Sequence, residues 1–213
     1  MLFLIAVLVF ALIIGINWWF GAWNCLLNLM NFFLAALVAS SFYENVAFEI
    51  VELDSSFVLI ADFVAVWLVF VVVFVVLRGI TDLLSRYQLK VEPWVDYTGR
   101  GIFSFWLACG FLCFTFFTLH MAPLPPDSFQ ADPTTRTLGV GPDRFWLSFI
   151  QSRSRGALAE SKQSSFFPSY TLTGHPDDAD LNARVFDPGA MFIFNNRSRR
   201  DAISRNKYLR TDE

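Results

Sequence analysis

Ionic side chains are missing from long parts of this chain. No Asp, Glu, Lys or Arg occurs from Met1 to Tyr43, and none from Gly101 to Pro126. Apolar segments of that length without charge are poorly solvated in water, which argues against an ordinary soluble domain. Histidine and cysteine are scarce as well, at two and three residues. Their scatter through apolar sequence excludes a zinc spacing and a disulfide framework. The formal net charge of −3 lacks the basic footprint of a nucleic-acid-binding protein. There is no phosphate-binding glycine loop, no nucleophile motif and no cluster of acid, base and nucleophile. The residues therefore give no reason to expect an enzyme, a bound cofactor or a metal.

What the chain has instead is hydrocarbon, with 55% of its residues hydrophobic. The run Phe57 to Leu77 supplies the roughly 20 helical residues needed to cross an apolar layer about 30 Å thick. Three further segments read the same way, giving an all-α membrane protein with four spans at about 2–16, 25–42, 57–77 and 101–120. The first apolar stretch has no positive leader and no cleavage site, so it reads as retained rather than as a signal. Asn17, Trp18, Trp19, Gly21, Trp23 and Asn24 suit a turn at headgroup level between the first two spans.

The expected organisation is a membrane domain over 1–121 and a Pro-rich linker over 122–141, followed by an amphipathic helix over 142–160 and a polar, mostly disordered tail over 161–213. Asp143 is placed to cap the amphipathic helix, which would lie on the bilayer or pack on protein. Ala190 to Phe194 is the one stretch of the tail with strand character. Between the second and third spans, Glu44, Glu49, Glu52 and Asp54 lie in an acidic loop with a short amphipathic element. The segment after the third span carries Arg78, Arg86, Lys90 and Arg100, and its helix is expected to run on until Pro93 ends it. Basic flanks stay on the cytoplasmic side. The expected locations are therefore a cell (inner) membrane, an inside basic loop, an outside acidic loop and an extracytoplasmic tail.

Polar residues inside the spans are the candidate sites. Asn24, Asn28 and Asn31 recur at helical spacing and share one face. Such amides either bond a neighbouring helix or line a polar path. Asp62 is a carboxylate within the third span, suited to ion handling or to an interfacial position. His120 reads as a headgroup-level polar residue, and Cys109 with Cys113 as small packing groups. Ala11 and Gly15, like Ala35 and Ala39, sit four apart, the spacing of closely approaching membrane helices. The expected partners are the lipid bilayer and either further copies of the chain or other membrane proteins. A small transporter or channel subunit is the alternative in which the polar groups face one cavity.

Gly15 and Gly21 flank the first turn, Arg78 to Arg86 follow the third span, and Trp94, Asp96, Gly99, Gly101 and Gly110 lead into the fourth. In this layout, from about Leu2 to Pro126, the chain resembles the colicin V production (CvpA) family of bacterial multi-pass membrane proteins. Trp18, Trp19 and Phe20 stand where similar proteins usually have basic residues, and Tyr97 stands where Arg often follows the Asp. The resemblance implies an accessory or scaffold role in toxin production or export, or in envelope homeostasis, with no catalytic residue to carry over.

Overall fold

A computed structural model describes residues 2–53, 60–85, 92–122, 141–154, 192–193 and 195–196. Five helices and no strand occur among the described residues: α1 (Leu2–Trp18), α2 (Ala22–Leu53), α3 (Ala61–Leu84), α4 (Pro93–Leu119) and α5 (Pro142–Ser154). Three of them, α2, α3 and α4, are long and apolar enough to cross a membrane. With 17 residues, α1 is shorter but as apolar. The chain divides into two compact units, 1–116 and 117–213.

Helix boundaries differ from the sequence expectation in three places, each for a local reason. α2 does not stop near Phe42. It runs unbroken to Leu53, because no Gly or Pro interrupts Ala22 to Leu53 and Glu, Ala and Leu are strong helix formers. Its 32 residues span about 48 Å at 1.5 Å per residue, so the acidic stretch from Glu44 is the end of the span's own helix rather than a separate element. α3 starts at Ala61 instead of Phe57 and stops at Leu84, where the Ser85 N–H bonds the Thr81 carbonyl. Pro93 opens α4 rather than ending α3. A proline at the first helical position gives up no hydrogen bond, since that N–H has no acceptor in the helix anyway.

In the first unit, α2 and α3 are antiparallel: Trp23 meets Ser85 near one end and Phe32 meets Phe70 further in. α4 runs parallel to α2, with Ala22 beside Asp96, Cys25 beside Ser104 and Phe32 beside Phe114. α1 returns against α4 through Phe10 on Phe105 and Trp18 beside Gly101. Side chains of α2, α3 and α4 build an aromatic core of Phe32, Trp67, Phe70, Phe111 and Phe114. Its tightest pair is Phe70 on Phe114, with ring centroids 5.0 Å apart. Ala35, Ala36 and Ala39 are fully buried on α2 and Ala65 on α3, so the expected small-residue spacing is used on α2. Ala11 and Gly15 are not packed in this way: both are exposed, and a Cβ on Gly15 would meet nothing.

The second unit gathers the end of α4, α5 and a short piece of the tail. Phe117 stacks on Phe192 at 5.1 Å, and Met121, Trp146 and Ile150 are buried there. Phe192, Ile193, Asn195 and Asn196 are helical, and the Asn196 amide donates to the Phe192 carbonyl. The strand expected at Ala190 to Phe194 is therefore replaced by a helical turn at its described residues. The expected linker, apart from Ala122 and Gly141, the last turns of the helix expected to reach Glu160, and most of the tail lie outside the described residues.

Candidate functional site

One end of the first unit holds a hydrogen-bonded network that touches all four of its helices. On α2, the Asn28 amide donates to the Asn17 side-chain oxygen of α1 at 3.1 Å, and its own oxygen accepts from Arg78 Nη1 of α3 at 2.7 Å. The other Arg78 nitrogen pairs with Asp82 at 3.0 Å, one turn further along α3. The Asn31 amide donates to the Thr81 hydroxyl at 2.9 Å, and the Trp23 indole donates to Ser85 at 2.6 Å. The Cys25 thiol bonds the Asn17 carbonyl at 3.2 Å and receives Ser104 of α4 at 3.8 Å. Asn17 is itself tied by its amide to the Ile13 carbonyl. Placed in an apolar surround, each unmet polar group would cost free energy, so satisfied groups of this kind hold helices in one register.

Beside this network, Asp96 and Arg100 grip the α1–α2 turn from α4. Asp96 Oδ1 accepts the Ala22 N–H at 2.8 Å, satisfying an orphan donor at the start of α2. Arg100 donates to the Trp18 carbonyl at 3.3 Å, at the end of α1, and also to Asp96 Oδ2. The negative group thus sits at a helix N-terminus and the positive group at a helix C-terminus, the favourable sense for both dipoles. Gly99 makes this approach possible, because a Cβ there would lie 2.8 Å from the Ala22 Cβ. Gly21 faces the same carboxylate, and a Cβ there would lie 3.6 Å from Asp96 Oδ1, an ordinary contact.

The residues singled out from sequence thus have different fates. Asn28 and Asn31 both bond α3, which is the helix-packing reading of the amides. Asn24 is half-buried and makes no side-chain hydrogen bond among the described residues. Asp62 lies in the first turn of α3, at the opposite end of that helix from Arg78, and so does not join the amides. Asp96 and Gly99 form the grip on the turn. Gly101 faces the Trp18 ring at ordinary contact distance, and Gly110 leaves only 3.0 Å to the rings of Phe32 and Phe33. Sequence reading did not assign roles to Thr81, Ser85 and Ser104, and it treated Arg78 and Arg100 only as charges that set sidedness. The usable signal was the i, i+4 spacing of Arg78 with Asp82 and of Asp96 with Arg100.

In the second unit, His120 directly follows the last residue of α4. It is buried, and its Nε2 lies 2.9 Å from Asp143 Oδ2. Asp143 is thus a buried partner of His120 whose carboxylate also takes N–H groups of the first turn of α5, its own and that of Arg144, while the Arg144 and Phe145 N–H groups bond the Gly141 carbonyl. Burial pushes the Asp143 carboxyl up. The hydrogen bond and charge of His120, with the N–H groups of Asp143 and Arg144, outweigh that and hold it below the usual carboxylate value. Among the described residues, no three His, Cys, Asp or Glu side chains could hold a metal ion. The chemistry available to the network is hydrogen bonding between helices. Compared with known proteins, the chain matches no family model, no curated protein and no solved structure.

Proposed function

We propose that the chain is a four-span membrane protein, with α1 as the fourth crossing, that works as an accessory or scaffold component by associating with itself or with other membrane proteins. The observation that carries this reading is the fate of the polar groups. Asn28, Asn31 and Arg78 are consumed by bonds between helices, which builds a fixed bundle and leaves its apolar outer faces for lipid and for partners. In this reading the membrane is a bacterial inner membrane, the segment between α3 and α4 is cytoplasmic and the tail is extracytoplasmic. The role in toxin production or export, or in envelope homeostasis, is the one that the resemblance to the colicin V production family implies.

The test is crosslinking in intact cells of a tagged full-length chain, followed by purification in detergent. The expected result is a discrete complex, either a homo-oligomer or a defined partner, whose yield falls in Asn28→Leu. A monodisperse monomer without partners, together with ion flux in proteoliposomes that Asn28→Leu abolishes, would overturn the scaffold reading in favour of transport.

A further inference from the structure

Exposed tryptophan and tyrosine are not spread evenly over the first unit. Trp18 and Trp19 at the α1–α2 turn, and Trp94 and Tyr97 at the start of α4, all stand open, with Trp19 at 87% and Trp94 at 71% exposure; Phe20 is open beside them. The approach of Gly99 to Ala22 and the bond from Arg100 to the Trp18 carbonyl bring the two groups to one level. Among the described residues, the one other exposed Trp or Tyr is Trp106, 12 residues and about 18 Å further along α4. The exposed aromatic residues of α1 and α2 away from this end, Phe3, Phe42 and Phe48, have no polar handle.

We infer that Trp18, Trp19, Trp94 and Tyr97 form a one-sided collar that seats in the headgroup layer of a phospholipid leaflet and fixes the depth of the first unit. Indole and phenol rings combine an apolar body with a hydrogen-bonding tip, the chemistry that favours the water–hydrocarbon boundary. In sequence, Arg86 and Lys90 lie in the segment that joins α3 to α4 at this end, matching a phosphate-bearing surface. The collar also continues directly into α4, a helix long and apolar enough to cross a membrane. One consequence concerns Arg78. Its partner Asn28 lies six residues beyond Ala22 on α2, about 9 Å deeper than the collar. At that depth Asn28 and Asp82 take the place of water around the guanidinium.

The inference rests on α4 crossing the bilayer, and the experiment separates the two claims. The full chain is reconstituted in vesicles of phosphatidylcholine and phosphatidylglycerol whose acyl chains carry bromine near either the ester end or the methyl end, with iodide as the aqueous quencher. The contribution of each residue is taken by difference from Trp19→Phe, Trp94→Phe and Trp106→Phe, exposed positions where phenylalanine leaves the packing intact. Trp19 and Trp94 are expected to be quenched about twofold more by the shallow bromine than by the deep one, and Trp106 the reverse. If Trp106 keeps its deep quenching while Trp19 and Trp94 respond only to iodide, or to no quencher, the collar faces water or protein and the inference is overturned. Loss of deep quenching at Trp106 would instead overturn the crossing of α4 and the inference with it.

Discussion

Asp96 and Arg100, one helical turn apart on α4, hold opposite sides of a single turn: the carboxylate takes the Ala22 N–H that opens α2, and the guanidinium takes the Trp18 carbonyl that closes α1. Two helix ends that carry no charge of their own are thereby terminated by a pair supplied from 74 and 82 residues away. An exchange of the two charges tests whether the pair or the caps matter. Asp96→Arg with Arg100→Asp keeps an i, i+4 pair but sets each charge against the wrong dipole. The double exchange should fail to restore stability, leaving a loss of about 1–2 kcal/mol relative to the native protein, read by unfolding in mixed micelles. Full restoration would mean that the pair acts only as a salt bridge.

Gly99 should tolerate no side chain while Ala22 is present. Gly99→Ala places a Cβ 2.8 Å from that of Ala22, both fixed to backbone, and should cost about 1–3 kcal/mol. Adding Ala22→Gly removes the clash and should recover most of it. A double variant no better than the single one would place the cost elsewhere.

The three amides of α2 should rank by partner. Asn28 accepts from a guanidinium, Asn31 donates to a neutral hydroxyl, and Asn24 has no side-chain bond among the described residues. Substitution by Leu should therefore destabilise in the order Asn28, Asn31, Asn24, with the first costing about 1–2 kcal/mol. Equal effects at all three positions would contradict the network.

Acid should loosen the second unit. The Asp143 carboxyl is held below its unfolded value, so its contribution is complete above that value and is lost as pH falls through the folded one. Emission from the buried Trp146 should shift to the red only as pH drops below about 4. Asp143→Asn should flatten that acid transition. A native transition unchanged by the substitution would assign it to other carboxylates.

The apolar spans were legible in the sequence because length and absence of charge suffice to define them, and α2, α3 and α4 fall where those runs lie. Boundaries were less legible. Pro93 is compatible with the end of one helix or the start of the next, and only the packing of α4 on the α1–α2 turn decides between them. The acidic end of α2 looked like a loop because its charges obscured a stretch free of Gly and Pro. Of the three amides on that stripe, Asn28 and Asn31 bond neighbouring helices and Asn24 does not among the described residues, and Arg78 and Arg100 could not be assigned as partners. Their acceptors, Asn28 and the Trp18 carbonyl, lie 50 and 82 residues away in the chain. The same distance problem hid His120 and Asp143, 23 residues apart.

Of the three helices long and apolar enough to cross a membrane, α3 is the most apolar, and its two flanks supply the most direct measurement. Single cysteines placed at Ser55 and at Gln88, in chains otherwise free of cysteine, would be labelled in sealed vesicles with an impermeant maleimide. The account predicts labelling of one position only before the membrane is opened by detergent, and of both afterwards. Equal labelling of both positions in sealed vesicles would contradict a crossing by α3.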